Sequence, residues 1–267
     1  MIEVTRHDDV VRLRMWTRRS AAVGYDVSAY VVRGVLVDTG FPHVAGDLER
    51  ALAELRPRGA ILTHWHEDHA GNAPTLAAVL PMWMSGFTER KLRERQRVKL
   101  YRHFTWGWPK ALRVPLTLFD AAPLRTIATP GHSPDHHVVF DAETSTLFSG
   151  DLWLGVKVRV MGASENPYRI VESLGHAIAL QPRRMFDAHR GMVERPVAAL
   201  EAKRGWLQDT IGEIERKLDA GDSEGAILRK VLGGEERTAF VSQGEYSRRN
   251  LVRTVEKNRS PPAPTKS

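Results

Sequence analysis

One ten-residue stretch constrains this chain more than any other part of it. Residues 63–72 read THWHEDHAGN and follow the short apolar run 60–62. Four potential metal ligands lie within this stretch: His64, His66, Asp68 and His69. Imidazole and carboxylate groups are typical ligands of zinc and of neighbouring first-row metals. Packing gives no reason to gather four such side chains behind a buried strand, so the stretch predicts a metal site.

The spacing of these four side chains favours two metal ions over one. A catalytic metal ion takes about three protein ligands and leaves a position open for water. Successive strand residues point to opposite faces, so His64 and His66 can converge on one point, while Asp68 and His69 lie beyond the strand end and can reach a second. A solvated, histidine-rich loop is the alternative, but the chain has only 11 histidines in 267 residues.

A binuclear site needs further ligands downstream, and three segments offer one each. They are TIATPGHS with His132, STLFSGD with Asp151, and RMFDAHRG with His189. In each segment an apolar run, which predicts a strand, ends beside a small residue and a candidate ligand. These three residues therefore complete a candidate ligand set.

Taken in order, these motifs resemble the metallo-β-lactamase fold superfamily of metallohydrolases. The resemblance covers roughly residues 10–195 and includes Asp-Thr-Gly at 38–40, HxHxDH at 64–69, Gly-His-Ser at 131–133, Ser-Gly-Asp at 149–151 and the final His189. It implies an α/β protein with a four-layer αββα sandwich. It also implies that His64, His66 and His132 hold one metal ion, that Asp68, His69 and His189 hold a second, and that Asp151 and a hydroxide bridge them.

Residues that other branches of the superfamily have, and that this sequence lacks, indicate which branch it resembles. The chain has no cysteine, which separates it from the thiolate-ligand β-lactamases, and the acid at Asp151 is unlike the remaining binuclear β-lactamases. Flavodiiron relatives have a carboxylate where His66 stands, and the short segment from Asp151 to His189 leaves no room for the extra domain of the large nucleases. The pattern is similar to the glyoxalase II, lactonase and small-esterase branch, not to a true β-lactamase.

Several side chains are candidates for roles beyond ligation. A metal ion lowers the pKa of its bound water from about 16 to about 7, and Asp68 is the candidate catalytic residue that orients the resulting hydroxide or accepts its proton. Asp38 and His136 are candidates for contacts behind the ligands, because metal-bound histidines donate their other ring N–H. An ordinary turn role for Asp38 and a rim position for His136 are the alternatives.

Cations near the ligands favour an anionic substrate. Lys157, Arg159 and Arg190 are candidates for binding a carboxylate or phosphate. Tyr168 is a candidate for facing the site, as tyrosines do in several relatives. The alternative for the cations is a solvated surface, and for Tyr168 a place against a core helix.

Residues 89–113 carry nine basic side chains against two acidic ones, which equals the whole formal net charge of +7. Aromatic side chains lie among the basic ones. One interpretation is a helical lid over the site, within an insertion at 86–115; the other is a nucleic-acid surface that holds phosphates and stacks bases. The aromatic residues cluster near the end of the segment, which favours the lid.

The sequence predicts a hydrolase domain over 1–195, a C-terminal helical extension over 196–258 and a disordered tail over 259–267. A hairpin is expected across Arg33-Gly34, a helix over about 74–80, a β series from about Leu116, and a Ser242/Glu245 capping box. No stretch resembles a leader or a spanning helix, so we expect a cytoplasmic location.

These features predict a binuclear metal-dependent hydrolase that uses a bridging hydroxide on an ester, thioester or lactone of a small, anionic substrate. Two divalent ions are expected, zinc first, with iron or manganese as alternatives. A phosphodiesterase or nuclease of the same fold is the rival enzyme, and a mononuclear iron persulfide-type dioxygenase is a further alternative. No membrane partner is expected, nucleic acid is the less favoured partner, and a homo-oligomer is open.

Overall fold

Two β-sheets lie face to face at the centre of the molecule, and helices cover their outer sides. The computed structural model describes residues 1–22, 24–94 and 98–259. The strands of these residues are β1 (Ile2–His7), β2 (Val10–Met15), β3 (Val27–Val32), β4 (Val35–Val37), β5 (Gly59–Ile61), β6 (Met82–Trp83), β7 (Leu124–Ala128), β8 (His137–Asp141), β9 (Thr146–Phe148), β10 (Met161–Gly162), β11 (Arg184–Asp187), β12 (Gly191–Val193) and β13 (Tyr246–Ser247).

The helices differ widely in length, from single turns near the predicted ligands to long helices near the C-terminus. They are α1 (Arg18–Ala22), α2 (Ala45–Leu55), α3 (Glu67–Ala70), α4 (Ala73–Leu76), α5 (Gly86–Arg93), α6 (Leu100–Trp106), α7 (Pro167–Ala179), α8 (Pro196–Asp219), α9 (Glu224–Leu232), α10 (Arg237–Val241) and α11 (Arg248–Asn258). Within the described ranges no helix is both long enough and apolar enough to cross a bilayer.

The strand order of the sheets brings several chain segments to one edge. The six-stranded sheet has the order β1-β2-β3-β4-β5-β6, and β4 runs parallel to β5. The five-stranded sheet has the order β12-β11-β9-β8-β7, and β9 runs parallel to β11. Strand β7 shares this direction, because it and β9 are both antiparallel to β8. The carboxyl ends of parallel strands lie at the same edge, so the segments that follow them meet there.

Buried apolar side chains form three layers of core, which separate four layers of secondary structure. The inner core joins the two sheets through residues such as Ile61 and Phe148. A second core packs the outer face of the first sheet against α2, and a third packs the outer face of the second sheet against α7, α8, α9 and α11. Neighbouring strand residues point to different cores, as Val138 and Val139 do. The predicted αββα sandwich is confirmed.

The predicted hairpin is confirmed in position and in turn chemistry. Strands β3 and β4 pair antiparallel, with Val32 opposite Val35. Arg33 and Gly34 both have positive φ, 50° and 68°. A two-residue turn with positive φ at both positions matches the twist of the flanking strands.

Three local predictions were wrong. The helix expected over about 74–80 is the single turn α4, and the β series begins at Leu124 instead of about Leu116. The residue that caps α11 is Ser247, whose hydroxyl accepts from the Arg249 N–H. The Ser242 hydroxyl accepts instead from the Tyr246 N–H, at 3.0 Å. At each of these places a turn or an irregular segment lies where the sequence predicted a longer helix, an earlier strand or a different cap.

The basic insertion is fastened to the C-terminal extension. Helix α6 supplies Arg102, whose Nη1 donates to Glu245 at 2.6 Å, and Tyr101, whose hydroxyl donates to Glu245 at 3.1 Å. Lys99 Nζ donates to the Ser242 carbonyl at 3.0 Å. The extension is in turn part of the fold, because β13 pairs with β10 and α8 lies on the second sheet. Of the predicted regions, Arg95, Arg97 and residues 260–267 lie outside the described residues.

A buried ion pair joins this insertion to the stretch that carries the predicted ligands. Glu67 is fully buried and Arg102 is 6% exposed. The guanidinium of Arg102 donates through Nε and Nη2 to both carboxylate oxygens of Glu67. Glu67 lies between His66 and Asp68, so the pair fixes the backbone on which both are carried.

Removal of one partner of this ion pair should destabilise the protein strongly. Arg102→Met leaves the Glu67 carboxylate buried without its cation, and we expect the free energy of unfolding in urea to fall by about 3–5 kcal/mol. Arg93→Met, which breaks the exposed pair with Glu89, is the matched control and should cost less than about 1 kcal/mol. Equal losses in the two variants would contradict the importance of the buried pair.

Candidate metal centre

The seven predicted ligands lie together where the two sheets meet at one edge. They form two groups, and within each group one ligand atom of every residue lies within 4.8 Å of the others. The first group contains His64, His66, His132 and Asp151, and the second contains Asp68, His69 and His189. Each group has the number and type of ligands that a zinc-like ion takes.

In the first group three imidazole nitrogens face one another. His66 Nδ1 is 3.0 Å from His64 Nε2 and 3.0 Å from His132 Nε2. Asp151 Oδ2 completes the group, 3.3 Å from His132 Nε2 and 4.0 Å from His64 Nε2. His66 presents Nδ1 and the other two rings present Nε2, so rings on the loop after β5 and on the loop between β7 and β8 aim at a common point.

In the second group the other oxygen of Asp151 takes part. Asp151 Oδ1 is 3.1 Å from His69 Nε2 and 3.4 Å from His189 Nε2. Asp68 Oδ2 is 3.8 Å from His69 Nε2 and 3.6 Å from His189 Nε2. One carboxylate therefore presents an oxygen to each group, which is the arrangement that a bridging ligand requires.

Two atoms of the donor set lack a hydrogen bond within the protein, and they show that the set fits metal ions. Among the described residues, the buried side-chain atoms without a partner include His69 Nε2 and Asp151 Oδ1. A buried polar atom without a partner costs free energy, and native proteins satisfy nearly all of them. Both atoms are metal-ligating atoms that face the same group, so a cation between them would satisfy both. The residues fit a bound metal.

The pKa values of the histidines shift in both directions, and within the first group the carboxylate of Glu165 outweighs burial and raises the pKa of His132. Burial lowers the pKa of His64 and of His66 well below the usual value, which keeps both rings neutral and able to ligate. Burial also acts to lower the pKa of His69, but the carboxylates of Asp151 and Asp68 outweigh it and raise the pKa. The same opposition raises the pKa of His189 to about 9. The carboxylates thus attract positive charge to the second group.

The ligands are oriented by contacts on their other side. His69 Nδ1 is 2.8 Å from Asp38 Oδ2, while Asp38 Oδ1 accepts from the Thr63 N–H at 2.8 Å. Thr63 Oγ1 is 3.0 Å from His64 Nδ1, and His189 Nδ1 donates to the Asp26 carbonyl at 2.5 Å. Such contacts fix ring orientation and the tautomer. Asp38, one of the candidates for this position, therefore touches a predicted ligand directly.

His136, the other candidate, lies behind Asp151. Its Nε2 accepts from the Asp151 N–H at 3.0 Å, and its Nδ1 is 2.8 Å from Thr129 Oγ1. Burial lowers the pKa of His136 well below the usual value, consistent with a neutral ring that accepts at Nε2. A Cβ on Gly150 would lie 2.7 Å from His136 Nε2, and Gly150 has a φ of 50°. The glycine before Asp151 is thus required by this contact.

Sequence reasoning missed two buried acids that hold ligand loops. Asp187 Oδ1 accepts from the N–H groups of His189 and Arg190, each at 2.9 Å, and Oδ2 accepts from the Leu154 N–H. Asp135 accepts from the Trp65 N–H at 3.0 Å and from Thr88 Oγ1 at 2.7 Å. Asp187 follows an apolar run two residues before a predicted ligand, and this position was the signal that could have identified it.

A comparison with protein-family models finds the metallo-beta-lactamase superfamily at residues 22–82, which include the predicted ligands His64 to His69. Solved structures agree on the fold. A metallo-beta-lactamase family protein from Thermus thermophilus aligns with a TM-score of 0.67 and 20% identity, over 92% of each chain. The chain therefore matches the family model at residues 22–82 and has the fold of a solved member of the family.

The sequence relatives of this chain carry two kinds of name. A "Beta-lactamase-like protein 2 homolog" of Drosophila melanogaster is 29% identical over 192 residues, 63% of this chain and 59% of the relative. An "Atrochrysone carboxyl ACP thioesterase" of Aspergillus fumigatus is 29% identical over 226 residues, 82% of this chain and 47% of the relative. The chain thus spans about half the length of these relatives, 59% of the first and 47% of the second. Their names agree with the prediction that it is not a true β-lactamase.

Four predicted substrate contacts make no polar contact with the predicted ligands among the described residues, and their role stays a prediction. Lys157, Arg159 and Arg190 are exposed, and Arg159 lies 3.9 Å from Glu236. The hydroxyl of Tyr168 donates to Glu215 on α8 at 2.6 Å, so Tyr168 faces the helix of the extension. None of the hydrogen bonds or ion pairs among the described residues joins these four side chains to a predicted ligand.

A buried lysine of the extension lies beside the centre. Lys203 on α8 is 4% exposed, and its Nζ donates to the Trp153 carbonyl, two residues after Asp151. Burial lowers the pKa of Lys203 to about 8, although the charges of Asp187, Glu165 and Asp151 oppose the shift. Helix α8 therefore places a cation behind the segment that carries the bridging carboxylate.

The lowered pKa of Lys203 predicts a pH-dependent contribution to stability. Between about pH 8 and 10.5 the unfolded chain binds a proton at this lysine that the folded chain does not, so the stability of the wild type should rise with pH. Relative to Lys203→Met, the free energy of unfolding should increase by up to about 3 kcal/mol across this window. Urea unfolding at several pH values measures it, with Lys230→Met, on an exposed surface, as the baseline. A difference that stays constant with pH would contradict the shift.

Proposed function

We propose that the protein is a metal-dependent hydrolase that holds two divalent ions and cleaves an acyl bond, a thioester first, with esters and lactones as the alternatives. The observation that carries this proposal is the position of Asp151, whose two oxygens face the two ligand groups at 3.3 Å and 3.1 Å. Zinc is the expected ion, and iron or manganese would use the same imidazole and carboxylate ligands.

The choice of a thioester is supported by the relatives. The protein of Aspergillus fumigatus that matches 82% of this chain is named a thioesterase. A thioester, an ester and a lactone share an acyl carbon that is open to attack by water and an oxygen on which negative charge develops. The same ligands could support hydrolysis of all three bonds, so the side chains that line the site, and not the ligands, determine the substrate class.

When bound, divalent ions would supply Lewis acidity, which makes water at the site far more acidic and stabilises developing negative charge. His64, His66 and His132 would hold one ion, His69, His189 and Asp68 the other, and Asp151 would contact both. Asp38 keeps His69 Nδ1 engaged, so Nε2 of that ring points inward. These contacts hold the ligands in place before substrate binds.

Asp68 is the candidate for proton movement. Its side chain is 12% exposed, and its Oδ2 lies 3.6 Å from His189 Nε2. A carboxylate oxygen at this position can orient the attacking water and accept its proton, and can then return a proton to the leaving group. A thiolate leaving group needs less help from such an acid than an alkoxide does, because thiols have a pKa of about 8.5.

The contacts of the basic insertion support a lid over a small-molecule site. Arg93 pairs with Glu89, Lys91 with Glu94, and Arg102 with Glu67. Trp106 packs against Phe41, with ring centroids 4.9 Å apart. Cations engaged within the protein are less able to hold a phosphate backbone, so the phosphodiesterase alternative gains no support from these contacts. The second ligand group likewise gives the single-iron dioxygenase alternative no support.

An anionic substrate remains part of the proposal on the grounds of charge. Lys157, Arg159 and Arg190 lie on exposed surface, where long cationic side chains can reorient toward a carboxylate or phosphate of the substrate. A thioester of coenzyme A combines such an anionic group with the proposed acyl bond.

The test is hydrolysis by the zinc-loaded protein of a panel of thioesters, esters, lactones and phosphodiesters. We expect thioester turnover, and a loss of at least about 100-fold for Asp68→Ala, because a positioned acid or base contributes about this much. The circular-dichroism spectrum and the melting temperature should stay close to the wild type.

Asp209→Ala, an exposed acid on α8, is the matched control and should retain full turnover. Activity confined to phosphodiesters would overturn the proposed bond class. Full activity of Asp68→Ala would remove the proposed role of this carboxylate, and its unfolding would indicate a structural one.

A further inference from the structure

We propose that strand β1 is a dimer interface, at which two copies of this chain join their six-stranded sheets edge to edge, β1 against β1, about a twofold axis at Val4. Strand β1 is the outer strand of its sheet, and among the described residues it pairs with β2 alone. An outer strand has a row of backbone groups with which another strand can pair. The inference does not depend on the hydrolase function proposed above.

The hydrogen bonds at the start of β1 show which of its backbone groups are free. The Trp16 N–H donates to the Met1 carbonyl at 3.1 Å, and the Met1 nitrogen donates to the Trp16 carbonyl at 3.0 Å. Bonded and non-bonded pairs alternate along two antiparallel strands, so the N–H and C=O groups of Ile2, Val4 and Arg6 point away from β2. Within the described ranges no other hydrogen bond uses these groups.

Strand β1 lacks most of the features that prevent two outer strands from pairing. Its sequence, IEVTRH, contains neither proline nor lysine, and its register with β2 is continuous over all six residues, without a bulge. Residues 3–6 are exposed, and Val4 is 49% exposed. Proline, lysine and bulges are the usual protection of a sheet edge. The strand does carry charged residues, so their positions decide whether a second copy is attracted or repelled.

The free groups and the twofold axis together determine the register of the dimer. An axis perpendicular to the sheet keeps every side chain on its own face, so residues that are opposite each other must belong to the same face. With Val4 opposite Val4 of the second copy, Ile2 lies opposite Arg6 of that copy and Arg6 opposite its Ile2. In this register every free N–H and C=O group of the three residues finds a partner across the axis.

A shift of the axis along β1 leaves part of this edge unused. An axis at Thr5 leaves the free groups of Ile2 without partners, and an axis at Glu3 does the same to Arg6. An axis at Glu3 would also place that carboxylate opposite its own copy, and like charges at opposite positions are destabilising. In the register centred on Val4, Glu3 lies opposite Thr5 of the second copy and keeps Arg14 of its own chain, at 3.3 Å.

The side chains of Ile2, Val4 and Arg6 all point to the side of the sheet that α2 covers. In the pairing with β2 they lie opposite residues of the core beneath α2. A groove runs between β1 and α2, and the residues that line it are Met1, Ile2, Val4, Asp47, Arg50, Ala51 and Glu54. In the dimer Arg6 of the second copy lies opposite Ile2, so its guanidinium enters this groove.

The groove contains one acid whose charge is left for the second copy. Asp47 pairs with Arg50 and with the Met1 amino group, the latter at 2.9 Å. Glu54 and Arg6 are both exposed, and neither takes part in an ion pair or a side-chain hydrogen bond with another described residue. Arg6 of one copy therefore matches Glu54 of the other, and the twofold axis produces this ion pair twice.

The experiment is sedimentation velocity on the full chain over a range of about 1 to 500 µM. We expect a reversible dimer with a Kd on the order of 10 µM, because an edge contact buries less surface than a standard interface. Val4→Pro removes the central free N–H and no bond to β2, and it should raise the Kd at least about tenfold. A wild type that stays monomeric throughout would leave the edge to a strand of another protein and overturn the proposal.

Charge reversal tests the register without altering the backbone. Arg6→Glu and Glu54→Arg should each raise the Kd about tenfold, because each puts like charges together at two places, and the double variant should return it to within about threefold of the wild type. Arg229→Glu, an exposed cation on α9, makes the same change in net charge and should leave the Kd unchanged. A dimer that both single reversals leave intact, or a double variant that stays monomeric, would contradict the register.

Amide hydrogen exchange distinguishes this interface from a dimer through another surface. As the protein concentration rises through the Kd, the amides of Ile2, Val4 and Arg6 should exchange at least about tenfold more slowly, because they become bonded to the second copy. The amides of Glu3 and Thr5, which are already bonded to β2, should change less than about twofold. A dimer that forms without this alternating protection would overturn the proposal.

Discussion

Two buried carboxylates need positive charge around them, and the rest of this structure depends on meeting that need. Asp68 and Asp151 lie among five imidazoles at the edge of two sheets, where little water reaches them. Buried carboxylates are stable only with cations or several hydrogen bonds around them. The raised pKa of His189, to about 9, is the response of an imidazole to that demand. A pair of divalent ions would neutralise the charge of both carboxylates, so we interpret the fold as one that positions ligands around cations.

Segments that are far apart in sequence position the loops that carry the ligands. Asp187 binds the loop of His189 to the loop after Asp151, and Asp135 joins two other ligand loops. The insertion and the extension act together from outside, because Arg102 contacts Glu67 and Glu245 at once. The C-terminal extension is therefore linked through Arg102 to the stretch that carries His66 and Asp68, and we expect changes within it to affect the ligands.

The sequence predicted what local patterns encode. Ligands at strand ends, next to glycine, could be identified because alternation marks the strands and few folds need such histidine density. Tyr168 was assigned to the site by analogy, although its hydroxyl bonds to Glu215. Lys203 lies beside the segment that follows Asp151 only through the tertiary packing of α8, for which sequence spacing carries no signal. Asp135 has the same difficulty, since its partners lie about 70 and 47 positions away.

The most direct test of the central claim is anomalous X-ray diffraction at the zinc edge from crystals of the zinc-loaded protein. Two peaks per chain are predicted, about 3.5 Å apart, as in other two-metal sites. One should lie on His64, His66 and His132, the other on Asp68, His69 and His189, with Asp151 contacting both. A single peak, or peaks away from these side chains, would contradict the account.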